Sequence, residues 1–424
     1  MNIVVLGLGY VGLPLAIELA KHFNVWGLDI DRGRIQELVD GYDRTNEVDA
    51  AALSASSLRL TDRSEKCPSA EVYIVTVPTP IDQLNQPDLG PVISATKAVA
   101  SMIDPTLKPL IIYESTVYPG VTEDICGPLL ETQSGYTQSI DFFLGYSPER
   151  INPGDKEHIV SRITKVIAGE STEITEKLAV IYGAITTGGV FRARSIKAAE
   201  AAKVIENAQR DINIAFMNEI TQIFNRIDLS IWDVLDAAGT KWNFLPFQPG
   251  LVGGHCIGVD PYYLSYRAQQ LGCDPQVILS GRAVNDGMGS WLAEQIDQKV
   301  NKKAARILVM GLTFKENVPD LRNSKVIDVI RALEAKGHLV TVHDPLADPA
   351  EAKREYAIDL DANALSRNYD AAIALVSHNE YRLMDCALLQ ALVDEGGLIV
   401  DLKRIWPDLP EQLSENGQRH YWAM

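Results

Sequence analysis

The chain has 424 residues and a net charge of −17, length enough for about three domains whose cores need no staples. The acidic balance argues against nucleic acid as a partner, although it leaves room for a local basic pocket that takes an anionic ligand. Five cysteines, odd in number, scattered and without a Cys-x-x-Cys pair, imply neither a disulfide framework nor a zinc site.

Ile3 to Leu6 predicts a buried strand, followed by a glycine turn and a helical pattern through Leu13, Ala16, Ile17 and Ala20. The amino terminus thus starts on a strand, and no apolar run approaches a membrane span. A cytoplasmic location with no membrane partner is therefore expected. Val25 to Asp29 reads as the next strand, and apolar runs at Val72 to Val77, Leu110 to Tyr113 and Phe142 to Leu144 alternate with helical segments such as Val92 to Ile103. Strands separated by helices predict a parallel, doubly wound sheet. From Ile196 to Phe224 the helical pattern runs on without Gly or Pro, which predicts a long helix opening an all-helical middle region. A second alternation follows: strands at Arg306 to Gly311, Leu339 to His343, Ala371 to Val376 and Leu398 to Asp401, with a helix at Lys325 to Lys336. The acidic ends of His338 to Asp344 and Val25 to Asp29 hint at two related halves.

Gly7-Leu8-Gly9-Tyr10-Val11-Gly12 follows the first strand and opens a helix. In that context the glycines permit a tight turn, close approach of a pyrophosphate and close helix packing, and the helix N-terminus supplies unpaired amides. Asp29 ends the second strand at the expected distance, where its carboxylate can accept from ribose hydroxyls and would repel a 2′-phosphate. The cofactor expected is NAD, with Arg34 as a nearby cation that could offset the repulsion. The fold class expected is α/β: two Rossmann-like, doubly wound parallel-sheet domains, 1–195 for NAD and 304–424 at the C-terminus, joined by a central helical domain, 196–303.

Gly253-Gly254-His255-Cys256-Ile257-Gly258-Val259-Asp260 delivers a lone thiol behind two glycines. Such a cysteine, if it starts a helix, has a lowered pKa and more thiolate; a buried structural cysteine in a tight turn is the alternative. Lys203 and Asn207 lie four apart on the long helix, hence on one face, while Glu206 lies on another. Asp260 stands four residues beyond Cys256, one turn away if a helix begins there.

Together with Thr76-Val77-Pro78-Thr79-Pro80, Glu114-Ser115-Thr116-Val117 and Ser147-Pro148-Glu149-Arg150, these segments make the chain resemble the nucleotide-sugar 6-dehydrogenases, the UDP-glucose/GDP-mannose dehydrogenase family, over nearly its whole length. Gly-Gly-His-Cys-Ile-Gly-Val-Asp-Pro-Tyr-Tyr is similar to the N-acetylhexosamine branch. Lys241 to Phe247 and Tyr146 to Asp155 are most similar to bacterial UDP-N-acetylglucosamine or UDP-N-acetylgalactosamine 6-dehydrogenases of surface-polysaccharide synthesis. UDP-N-acetylmannosamine or UDP-glucose stands as the alternative substrate.

The resemblance implies a four-electron oxidation of carbon 6 with two NAD reduced, through a thiohemiacetal and a thioester on Cys256. It gives Lys203 and Asn207 the developing oxyanion, Asp260 proton transfer with Lys203 and a bound water, Glu149 the thioester hydrolysis, and Thr116 the positioning of water. It implies cofactor contacts from Gly7, Gly9, Tyr10, Val11, Gly12, Asp29, Arg34, Thr79, Thr116 and Arg322. Substrate contacts are implied for Glu149, Arg150, Lys203, Asn207, Phe247, Gly250, Gly253 and Lys315. Pro153 stands where the UDP-glucose branch has a second glutamate, so that contact is not carried over. A UDP-sugar partner, a homodimer or larger homo-oligomer built on the central helices, and no metal are expected. Two rival classes remain: a single-step dehydrogenase of the 6-phosphogluconate or 3-hydroxyisobutyrate type, and a non-catalytic nucleotide-binding protein.

Overall fold

A computed structural model describes every residue except 83, 151–156, 255–256 and 415–418. The chain divides into two compact units, residues 1–207 with 259–274, and residues 208–258 with 275–424.

The first unit is built on strands β1 (Asn2–Leu6), β2 (Asn24–Leu28), β3 (Arg59–Thr61), β4 (Val72–Val75), β5 (Leu110–Tyr113), β6 (Phe143–Tyr146), β7 (Lys165–Gly169) and β8 (Val190–Arg192). Their order is β3-β2-β1-β4-β5-β6-β7-β8. The first six run parallel in the dinucleotide-binding arrangement, whose order reverses between β1 and β4. The expectation of an all-parallel sheet fails at two strands, because β7 pairs antiparallel to β6 and β8 runs parallel to β7. Burial on both faces explains the continuous apolar strands: Val4 and Leu6 join one core cluster, Ile3 and Val5 the other.

The second unit carries β9 (Arg306–Met310), β10 (Leu339–His343), β11 (Tyr369–Ala374), β12 (Val393–Asp401) and β13 (His420–Ala423) in the order β10-β9-β11-β12-β13. All are parallel, and alternate residues of β9 again enter opposite cores. The long helix spans Ile196–Asn225, and helices Asp260–Gln270 and Gln276–Val300 follow it in sequence.

The two halves share a device at the first turn. Gly7 and Gly311 both take left-handed backbone, with φ of 92° and 95°, which favours glycine. Gly7 N–H donates to Leu28 O and Gly311 N–H to His343 O, each at 2.8 Å. The acid after the second strand then holds the loop: Asp29 accepts from Leu8 N–H at 2.7 Å, and Asp344 from Leu312 and Thr313 N–H at 2.6 and 3.0 Å. The halves read as related from their acidic strand ends are thus alike in atomic detail.

Candidate active site

The fingerprint loop is locked from below. Thr76 Oγ1 donates to Leu6 O and Gly7 O, and a Cβ on Gly12 would lie 1.8 Å from Gly7 O. A Cβ on Gly9 would meet nothing within 4 Å, so this glycine faces open space where a ligand can approach. The helix Gly12–Ala20 has no side-chain cap at its start, leaving the dipole and amides for an anion. A cavity of about 620 Å³ lies beside β2 and β3, lined among others by Leu28, Ile30, Asp62, Arg63 and Lys66, a volume within the range of small-molecule sites. These observations fit a dinucleotide with its adenosine near Asp29.

Arg34 takes another place than the one expected. Its guanidinium is buried, donating from Nε to Leu8 O at 2.9 Å and pairing with Asp43 at 2.6 Å. The charge that was to offset Asp29 is answered by Asp43, and Arg34 instead braces the fingerprint loop. Tyr10 and Val11 lie in the turn itself. Thr79 is half-buried after β4, on a segment that Tyr263 ties down by donating from its hydroxyl to Pro80 O at 3.0 Å.

Three expected residues converge in the first unit. Lys203 and Asn207 are 7% and 5% exposed on the long helix, and Asp260, 2% exposed, begins the next helix of that unit. Asn207 Nδ2 donates to Asp260 Oδ2 at 2.5 Å. Burial pushes the Asp260 carboxyl up to about 6, with the Lys203 charge and the Asn207 hydrogen bond pulling the other way. The helix starts at Asp260, with Pro261 in its first turn, where proline is favoured. Cys256 and His255 lie outside the described residues.

Thr116 is half-buried in the loop after β5. That loop is held by Ser115 Oγ donating to Val77 O at 2.7 Å, by Tyr146 Oη donating to Ser115 O at 3.2 Å, and by Glu200. The Glu200 carboxylate accepts from Gly120 N–H at 2.6 Å and Thr122 N–H at 2.9 Å. Glu149 is buried with Oε2 3.9 Å from Lys165 Nζ, while Arg150 pairs with Glu206 at 2.9 Å. The neighbours Glu149 and Arg150 are thus drawn to different partners, and Glu206, set aside on sequence, is the partner of one of them.

In the second unit, the glycine segment meets the lysine loop. A Cβ on Gly254 would stand 2.7 Å from the Phe314 ring, and one on Gly253 2.6 Å from Asn323 O. Only glycines permit this approach to the loop that carries Lys315 and Arg322. Lys315 is half-buried, and Arg322 holds Asp320 at 2.7 Å. Gly250 is clamped by a residue sequence reasoning missed: Asn218 accepts from Gly250 N–H at 2.8 Å and donates to Gly250 O at 3.0 Å. Asn218 also donates to Asn285, which donates in turn to Asp211, the ion partner of Arg282. Lys403 Nζ donates to Pro249 O at 2.7 Å. Phe247, half-buried, precedes this clamp. The signal for Asn218 was an amide on the long helix with no apolar role, too common to single out.

Among the described residues no cluster of His, Cys, Asp and Glu could hold a metal, and no helix is long and apolar enough to cross a membrane.

The sequence matches three domains of one family in chain order. These are the UDP-glucose/GDP-mannose dehydrogenase family NAD binding domain over residues 1–186, its central domain over 197–287 and its UDP binding domain over 308–408. It is 50% identical to the UDP-N-acetyl-D-glucosamine 6-dehydrogenase of Pseudomonas aeruginosa, covering 95% of this chain and 96% of that one. To the protein of the same description from Salmonella typhi it is 46% identical, covering 96% and 97%. Among solved structures, the UDP-D-ManNAc dehydrogenase of Pyrococcus horikoshii aligns with a TM-score of 0.84 and 29% identity over 96% of both chains.

Proposed function

The chain belongs to the UDP-glucose/GDP-mannose dehydrogenase family and is an NAD-dependent dehydrogenase; from that premise we propose that it oxidises carbon 6 of UDP-N-acetylglucosamine, or of its 4-epimer UDP-N-acetylgalactosamine, to the uronic acid for surface-polysaccharide synthesis. The relatives 50% and 46% identical are named for UDP-N-acetyl-D-glucosamine, which supports an N-acetylhexosamine over UDP-glucose. The observation that carries the chemistry is the convergence of Lys203, Asn207 and Asp260, with the 2.5 Å hydrogen bond between the last two.

NAD supplies the two-electron acceptor at each oxidation. Gly7, Gly9, Tyr10, Val11 and Gly12 form its phosphate turn, Asp29 takes the ribose hydroxyls, and Thr79, Thr116 and Arg322 contribute further contacts. In the first oxidation Asp260 and Lys203, through a water, take the proton of the carbon 6 hydroxyl, and Lys203 and Asn207 hold its oxygen as charge develops. The Cys256 sulfur then bonds to the aldehyde carbon, which retains the intermediate as a thiohemiacetal. A second loss of two electrons leaves a thioester, which water, positioned by Thr116 and deprotonated by Glu149, cleaves to the carboxylate. On the substrate side, Lys315 and the backbone of Phe247, Gly250 and Gly253 take the UDP, and Arg150 contributes a further substrate contact. Residues 1–195 serve NAD in this reading, 304–424 serve UDP, and 196–303 make the contact of a homodimer.

The test is NADH released per sugar oxidised, with UDP-N-acetylglucosamine, UDP-N-acetylgalactosamine, UDP-N-acetylmannosamine and UDP-glucose in parallel. Two NADH per sugar, and a Cys256→Ser variant that stalls, are expected. One NADH per sugar, or normal turnover of the variant, would overturn the scheme.

A further inference from the structure

In the second unit, the backbone at Pro249 and Gly250 is held from both sides by groups that the reaction scheme does not use. Lys403 Nζ donates to Pro249 O at 2.7 Å. Asn218 Oδ1 accepts from Gly250 N–H at 2.8 Å, and Asn218 Nδ2 donates to Gly250 O at 3.0 Å. One peptide plane is therefore pinned at its oxygen and its N–H, and the next at its oxygen, which fixes the two soft dihedrals of Gly250 between them. A glycine has more backbone freedom to lose than any other residue, so the hold must come from outside it.

Asn218 can supply that hold in one orientation only. A backbone N–H donates and a backbone oxygen accepts, which sets the amide with Oδ1 toward the first and Nδ2 toward the second. The same Nδ2 donates to Asn285 Oδ1 at 2.8 Å. Asn285 is oriented in turn: its Nδ2 donates at 3.0 Å to Asp211 O, a carbonyl that only accepts, and at 2.7 Å to the Asp211 carboxylate, which Arg282 also meets at 2.6 Å. Asn218 and Asp211 are 0% exposed and Asn285 1%, so water does not compete for these bonds. A buried chain of amides with one polarity from end to end resists flipping, because turning any member sets donor against donor.

We propose that Asn218 is a positioning residue for the nucleotide half of the substrate, holding the loop at Gly250 in the shape that takes UDP, with Asn285 fixing the direction of its amide. The proposal rests on the reading that the backbone of this loop meets UDP. A loop ordered before its ligand arrives spares the binding step the cost of ordering it. Removing the clamp returns that cost to UDP binding, and leaves the fingerprint turn of the first unit untouched.

The experiment titrates UDP, and separately NAD, into full-length wild type, Asn218→Ala, Asn285→Ala and the double variant by isothermal calorimetry. Asn218→Ala loses both bonds to Gly250 and is expected to weaken UDP about tenfold while NAD affinity stays within about twofold. Asn285→Ala should weaken UDP by about threefold, and the double variant no more than Asn218→Ala, since both act through one amide. A merely structural role would lower the melting midpoint of Asn218→Ala without moving the UDP affinity of the folded chain. Should Asn218→Ala fail to fold, Asn285→Ala decides, and an unmoved UDP affinity there overturns the proposal. So does unchanged UDP affinity in Asn218→Ala, or an equal loss of UDP and NAD affinity; either leaves the loop as the UDP site. A wild type that binds NAD and not UDP overturns both.

Discussion

Burial holds the Asp260 carboxyl at about 6 against the pull of Lys203 and Asn207, so this side chain changes charge within the range of an ordinary assay. The proposed proton acceptor must be ionised. Turnover should therefore fall about tenfold per pH unit below 6, as the protonated form takes over. Asn207→Ala removes a hydrogen bond that favours the carboxylate, so the acid limb should move to higher pH. Profiles of kcat/KM for wild type and variant check this, and an unmoved limb would separate Asp260 from proton transfer. Removing Lys203 as alanine should cost about 3 kcal/mol of barrier, roughly a hundredfold in kcat. The pairing of Lys203 with Asn207 was legible because helical spacing alone puts positions 203 and 207 on one face, whereas Asp260 joined them only through the family resemblance. The partners of Glu149 and Arg150 were not: adjacent residues at a strand end point to opposite sides, and which side meets Lys165 or Glu206 depends on chain far away in sequence.

At the scale of elements, the long helix acts on the loop after β5 through Glu200. This carboxyl is fully buried, and desolvation raises it to about 7 from an ordinary 4.5 in spite of the Gly120 and Thr122 amides. Between those values the folded chain keeps the proton and the unfolded chain releases it. Stability from this group is then present below pH 4.5 and lost as pH rises through 7, an effect of about 3 kcal/mol. Urea midpoints across this range should fall more steeply for wild type than for Glu200→Gln, and parallel curves would show that Glu200 does not titrate there. The strands carried by the apolar runs and the long helix were legible to within a few residues at their ends, whereas β3, β7, β8 and β13 were not read. The reversal of β7 was not, since a short apolar strand carries no mark of direction. Nor was the start of the helix at Asp260, because the glycines before it obscure where the pattern begins.

At the scale of the whole molecule, the two sheets share the device of a left-handed glycine and an acid that holds the turn, and the acid of the second is closed off. Asp344 is buried, accepts four backbone amides and meets His378 Nε2 at 3.2 Å. Those bonds and the histidine hold it below the usual carboxylate range against the effect of burial. Asp29 accepts from Leu8 and Asp31 N–H and is half-buried, with a cavity beside it, which supports the ribose contact proposed for it. One face of the long helix has no such closure. Ile205, Phe216 and Ile223 recur on one side of it and are 53%, 55% and 51% exposed, with Ile227 just past its end. A helix normally turns its apolar stripe to a core, and a contiguous apolar patch marks an interface more often than a solvated surface. The homodimer proposed above would seat a second copy of this chain there, since a two-fold contact lets one helix face pair with itself. Phe216→Asp and Ile223→Asp together should convert a dimer to a monomer in size-exclusion chromatography with light scattering, because two buried carboxylates per copy would meet like charges across the axis. An unchanged mass for the double variant, or a wild type that is monomeric at micromolar concentration, would assign this face to some other role.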